Sequence, residues 1–341
     1  MRAHRSAYVR APWQFEVREL PLADPGPGQV LVRVAACGVC GTDLHIADRQ
    51  ATDWQPFGHE VAGMVEAVGE GVSRFSLGQR VALDSSAPCG KCVTCARRPD
   101  LCPTPLSYWS WPAMGFGDRL LSPQECVFPI PGEMPFEVAC LVEPVGVSLD
   151  LVQTAGVGRG DHVLVVGPGP LGLGAVCAAR AAGAGKIWLA GRSTSVARMR
   201  AGTALGADAL IEMDLVPLEK FDFGARRPDK VLVTAPPEVL SGMMEVAAFG
   251  GVIAYIGIAA GPKARIALDA DAFHFRKLQL RASHASPGTH GPESLRLLGE
   301  SPVLGRELVS HRFAFGELAD AMAMARDDRK TVKKMVMVNL L

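Results

Sequence analysis

An excess of charge of either sign is missing from this chain: Lys plus Arg and Asp plus Glu both number 35. A nucleic-acid binder would show a basic excess or stripe, so that class is set aside. No stretch of about eighteen or more uninterrupted apolar residues occurs, and no membrane span is expected. The N-terminus carries Arg2, His4, Arg5 and Arg10 with no apolar run, so no signal peptide is expected. Internal repeats and low-complexity tracts are also absent. What remains is ordinary for an enzyme: 48% hydrophobic and 21% charged residues in a 341-residue chain, a length that suits two domains.

Against this plain background three segments carry chemistry. The first is Cys40-Gly41-Thr42-Asp43-Leu44-His45, followed by Gly58-His59-Glu60. It supplies a thiolate, an imidazole and a carboxylate, most of a catalytic zinc site with an open position for substrate. A buried Cys, a core His and a surface Glu would be the plain alternative. The second is Cys89, Cys92 and Cys95, closed by Cys102. Four thiols so close together suit tetrahedral zinc with no open position, a structural site, better than a disulfide framework. In a reducing cytoplasm, the expected location, such thiols bind metal rather than pair. Cys37, Cys126, Cys140 and Cys177 sit in apolar runs and read as small core residues.

The third segment runs from Val163 to Gly174. Gly167, Gly169 and Gly172 follow a β-branched strand and open an alanine-rich helix, the setting a dinucleotide fingerprint requires. Glycine permits the tight turn, and the helix N-terminus presents free amides to a pyrophosphate. Pro168 and Pro170 remove two donors, which leaves the amides of Leu171 and Gly172 for the phosphates.

Coarse patterning divides the chain. The first 130 residues read as mostly β, with strands at 30–36, 61–68 and 80–83. A helical pattern covers 136–154. Strands at 163–166, 187–190, 230–234 and 252–257 then alternate with helices at 171–182, 195–205 and 237–248, which predicts a parallel doubly wound sheet. After about Ala285 the alternation stops, leaving a helical pattern over 313–324 and a strand-like 334–338.

With these motifs in this order, the chain resembles the zinc-dependent medium-chain alcohol dehydrogenases, in particular their polyol (sorbitol) and threonine dehydrogenase branches. The resemblance rests on the opening Asp24 to Val34, the Cys-Gly-Thr-Asp-x-His block, Gly58-His59-Glu60, the cysteine lobe, the glycine fingerprint and Gly250-Gly251. It implies an α/β protein with a partly open, β-rich, GroES-like catalytic domain at 1–150 and 285–341. It also implies a Rossmann domain at 151–284 and an active site in the cleft between them. Cys40 and His59 become zinc ligands, and Glu60 a carboxylate that can approach the metal. Val142-Glu143-Pro144 resembles the Glu-Pro motif that favours Glu143 over nearby Cys140 as the third ligand. The cysteine lobe departs from the family in its last spacing, six residues instead of the usual seven.

The mechanism implied is hydride transfer from an alcohol to a nicotinamide, with zinc polarising the substrate oxygen. Thr42 would take the alcohol proton and pass it through the cofactor ribose to His45, whose ordinary pKa of about 6.5 suits exchange with solvent. Asp43 reads as a structural partner. Where an NAD enzyme places Asp or Glu after its second strand, this chain has Gly191-Arg192-Ser193. Arg192 and Ser193, with Arg198 near the same pocket, favour NADP over NAD.

The expected substrate is a secondary alcohol, or its ketone, on a polyol, sugar, cyclitol or aminocyclitol. A threonine-type amino alcohol dehydrogenase is the nearest alternative, and a non-catalytic NADP-binding protein the alternative from another class. The aromatics Trp54, Tyr108, Trp109, Trp111 and Phe116 could shape the site or merely pack the lobe. A homodimer or homotetramer is expected by resemblance, with the run from Gly251 to Gly261 a candidate sheet edge.

Overall fold

The computed structural model describes residues 3–21, 23–109, 111–259 and 261–339. The chain forms two compact units. One comprises Met1–Gly146, Ser286–Asp328 and Lys334–Leu341; the other comprises Val147–Ala285 and Arg329–Lys333.

The first unit is built on strands. β1 (Ala3–Arg10) and β2 (Gln14–Pro21) pair antiparallel, and β4 (Gln55–Pro56) flanks β1. β3 (Gln29–Gly38) is the centre of a seven-stranded sheet with β5 (Glu60–Val68), β6 (Arg80–Leu83), β9 (Arg119–Pro123) and β10 (Val127–Pro129). β7 (Ser86–Ala87) and β8 (Leu106–Ser107) form a small ribbon beside the cysteine lobe. β3 is central because its Val-Leu-Val-Arg-Val-Ala-Ala run is β-branched and buried on both faces.

The second unit is a six-stranded sheet, all of its pairs parallel. Its strands are β11 (His162–Val166), β12 (Lys186–Gly191), β13 (Ala209–Glu212), β14 (Lys230–Val233), β15 (Val252–Tyr255) and β16 (Gln279–Ala282). Their spatial order, β13-β12-β11-β14-β15-β16, reverses direction between β11 and β14, the switch point where such sheets bind ligands. Trp188, Leu164, Val231, Ile253 and Phe223 lie in its core.

The chain then returns to the first unit, where β17 (Val309–Phe313) pairs with β18 (Lys334–Val338), and β18 pairs with β3.

Several sequence expectations shift. The helical pattern over 136–154 is two helices, Phe136–Ala139 and Val142–Ala155. This stretch has the length and hydropathy of a membrane span, yet 61% of its apolar window is buried inside the protein. The stretch 237–248 divides into a 3₁₀ turn, Pro237–Val239, and the helix Leu240–Val246. Phe313 ends β17 rather than starting a helix, and the helix there is Leu318–Asp327. Within Gly251 to Gly261, Ala260 lies outside the described residues. Val252–Tyr255 forms β15, which pairs on both sides, so the sheet ends on β16 instead.

Candidate active site

Cys40 ends the loop after β3 and caps the one-turn helix Gly41–His45. Its amide donates to Asp43 Oδ2 at 2.8 Å, and its Sγ accepts from the Thr42 amide at 3.4 Å. The other oxygen of Asp43 accepts from the Gly58 amide at 3.3 Å and faces His59 Nδ1 at 3.5 Å. One fully buried carboxylate therefore grips both motif loops and orients the imidazole, as carboxylates behind metal-binding histidines do. Gly58 is at φ +90, and a Cβ there would lie 2.6 Å from the Phe116 ring; neither the conformation nor the space admits a side chain.

Burial alone would lower the His59 pKa, but the Cys40 and Asp43 charges and hydrogen bonds hold it well above its ordinary value. Tyr108 is fully buried and donates to His59 O at 2.7 Å, while the half-exposed Trp109 stacks on the His59 ring at 4.9 Å. Thr42 and His45 sit three residues apart on the same short helix, hence on one face. Burial lowers the His45 pKa, with Arg49 acting in the same direction, so its ring is neutral at neutral pH.

Glu60 occupies the first position of β5, and its Oε1 accepts from Lys334 Nζ at 2.5 Å. Lys334 is 3% exposed and also donates to Val39 O at 3.0 Å. Glu60 Oε2 is buried and has no hydrogen-bond partner. Glu143, in the first turn of its helix, has its carboxyl pushed up to about 8 by burial, with Glu60 and Asp84 adding to the rise. Asp84 is likewise pushed up to about 7 by burial.

Lys334 escaped the sequence reading. A lysine at the head of an apolar strand looks like a solvated edge residue, and only the pairing of β18 with β3 carries it to Glu60.

The donor set fits a divalent cation. A thiol and an imidazole are held by one buried carboxylate, and His59 Nδ1 and Glu60 Oε2 are buried without a hydrogen-bond partner, unmet polar groups of the type a divalent ion and its ligand shell satisfy. The set is not closed, however, because Glu60 leans on Lys334. Among the described residues, the group whose ligand atoms all lie within 4.8 Å of one another is Cys89, Cys92, Cys95 and Cys102. Sulfur separations there of 3.4, 3.8 and 4.0 Å bracket the edge of about 3.8 Å expected for a ZnS₄ tetrahedron with bonds of about 2.3 Å. All nine cysteines are unbridged, and Cys37, Cys126, Cys140 and Cys177 are buried core residues.

In the second unit, Gly167 adopts φ +107 after β11, and a Cβ on Gly172 would lie 1.8 Å from Gly167 O, so turn and helix can close only with glycine at both positions. The helix Pro170–Ala181 is capped by Gly169, with Pro170 in its first turn. Its hydrogen-bond ladder starts with the Leu173 amide donating to Gly169 O, which leaves the amides of Leu171 and Gly172 ahead of it, at the anion-binding end. Arg192 is exposed at the end of β12. Ser193 differs from expectation: its amide and hydroxyl both donate to Asp214. Arg198 donates from Nε to Val332 O at 2.9 Å and so anchors the backbone.

Comparison with known proteins identifies the family. An alcohol dehydrogenase GroES-like domain matches residues 26–132, and a zinc-binding dehydrogenase domain matches residues 170–298. The fold and site therefore define a zinc-binding dehydrogenase. The chain is 32% identical over 326 residues to D-altritol 5-dehydrogenase of Agrobacterium fabrum, with 92% of this chain and 94% of that one covered. It is 29% identical to sorbitol dehydrogenase of Bacillus subtilis, with 94% and 93% covered. The crystal structure of an alcohol dehydrogenase from Escherichia coli CFT073, complexed with NADH, superposes with a TM-score of 0.90 at 26% identity, covering 99% of each chain. The protein belongs to the zinc-dependent medium-chain alcohol dehydrogenase family and is an NAD(P)-dependent oxidoreductase.

Proposed function

We propose that this enzyme oxidises a secondary hydroxyl on a polyhydroxylated small molecule (a sugar alcohol, sugar, cyclitol or aminocyclitol) and catalyses the reverse reduction of the ketone. The observation that carries the reading is the Asp43 carboxylate, which accepts from the Cys40 and Gly58 amides and faces His59 Nδ1 at 3.5 Å, so that the thiol and the imidazole belong to one buried joint. Cys40, His59, Glu60 and Glu143 would hold a catalytic zinc, and the four lobe thiols a structural one. Bound zinc supplies Lewis acidity that eases loss of the hydroxyl proton. The Thr42 hydroxyl would accept that proton while giving up its own to the next group in the relay, and His45, neutral and half-buried on the same helix face, would take up the relayed proton and release it to solvent. Trp109, partly exposed beside His59, offers an apolar wall for the carbon skeleton.

The amides of Leu171 and Gly172 would take the pyrophosphate. Exposed Arg192, with no carboxylate in Gly191-Arg192-Ser193, supports NADP over NAD. Nine cysteines without a disulfide among them suit a reducing cytoplasm.

Metal analysis joined to a polyol panel tests the reading. About two zinc ions per chain and NADP-linked oxidation of polyols are expected. Cys40→Ser should lose one ion and at least about a hundredfold in turnover. Near wild-type turnover in that variant would overturn the mechanism. L-Threonine belongs on the panel, because the chain is also 29% identical to an L-threonine 3-dehydrogenase of Mesorhizobium japonicum. Preferential oxidation of threonine would replace the polyol assignment.

A further inference from the structure

The β12–β13 register pairs Gly191 with Glu212. Two residues beyond this pair Ser193 meets Asp214: the serine amide and hydroxyl both donate to the carboxylate, each at 2.7 Å. The Met213 amide donates to Gly191 O at 2.9 Å and fixes the two strand ends together. Gly191 in turn abuts the glycine turn, since a Cβ there would lie 2.6 Å from Pro168 Cγ. The Ser193–Asp214 pair thus stands beside the phosphate-binding turn at the end of the second strand, where this sheet topology receives the adenosine ribose.

Asp214 interferes with both groups that a 2′-phosphate would use. Its hydrogen bonds from Ser193, and then the charge of Arg192, hold its carboxyl below the usual value, so it is fully ionised at neutral pH. It occupies the Ser193 donors and offsets part of the Arg192 charge. A phosphate arriving there must displace a hydrogen-bonded carboxylate and then sit beside it as a like charge. A free 2′-hydroxyl meets no such penalty and can itself donate to the carboxylate.

We propose that Asp214 is the residue that sets cofactor discrimination in this enzyme, holding the affinity for 2′-phosphorylated dinucleotides below what Arg192 would otherwise give. The inference rests on the reading of Arg192 as the 2′-phosphate ligand.

Calorimetric titration of the full chain with 2′,5′-ADP and with 5′-AMP isolates this corner, since neither probe carries a nicotinamide or requires turnover. Asp214→Asn keeps an acceptor for Ser193 and removes the charge. It should tighten 2′,5′-ADP by about three- to tenfold, an effect that shrinks with added salt, and leave 5′-AMP unchanged or weaker. If both nucleotides shift together, or neither shifts, Asp214 is only a tie between two strand ends and the inference is wrong. Arg192→Gln reports separately. Loss of 2′,5′-ADP affinity supports the NADP reading, and no loss overturns it, whatever Asp214→Asn shows. Asp214→Ala completes the set. A selective gain for 2′,5′-ADP supports the inference, whereas equal weakening of both nucleotides with a lower Tm supports the tie.

Discussion

Lys334 and Glu60 form a buried ion pair whose members depend on each other. Each is at most 3% exposed, and the pair closes at 2.5 Å. Burying a charge without its partner costs several kcal/mol, whereas removing both charges together leaves no orphan. Lys334→Met should therefore lower stability by about 3–5 kcal/mol. The double variant Lys334→Met/Glu60→Gln should recover most of that loss, as read by denaturant unfolding of the metal-loaded protein. Additive losses in the double variant would mean that the two residues act independently. The lysine has a second effect: it holds one oxygen of Glu60 and leaves the other unpartnered, so that Oε2 would be the atom available to a cation.

At the scale of elements, the candidate site is a joint between the one-turn helix Gly41–His45 and the loop entering β5, closed by Asp43. Gly58 is the hinge of that joint. Gly58→Ala would strain a left-handed backbone and press a methyl group into Phe116, at a cost of about 2–4 kcal/mol. It should also lower catalytic zinc occupancy while the four-thiol site stays filled. Equal loss from both sites would indicate general unfolding instead.

The same elements show what the sequence could and could not convey. The β11-turn-helix unit was legible because glycines at fixed spacing have one physical use after a β-branched strand. Cys40 and His59 were legible for the same reason, each embedded in a block of chemically distinctive neighbours. β13, β16 and β1 were not. β16 reads Gln279-Leu280-Arg281-Ala282, and β1 opens Ala3-His4-Arg5, with too little apolar alternation to announce a strand before its neighbours are known. The tie between Ser193 and Asp214 was hidden because it depends on the pairing of two strand ends 21 residues apart.

For the whole molecule, the second unit's sheet ends on β16, three of whose four residues are exposed, and Phe249, Ile258 and Phe275 are exposed in the same unit. Edge strands of this kind are open to pairing with another chain. We expect sedimentation velocity to give a homodimer or homotetramer of the 36.1 kDa chain. A monomer at micromolar concentration would leave that edge without this use.

The return of the chain through β18 has a further consequence for biosynthesis. Glu60 is 274 residues ahead of the lysine that neutralises it, so a ribosome makes the loop entering β5 long before it makes the counter-ion. Before β18 pairs with β3, Glu60 has no lysine to neutralise it, and an ionised carboxylate without a partner is better left in water than buried. Closure of the protein around Glu60 is thereby expected to follow the synthesis of β18 rather than that of the loop that carries the carboxylate.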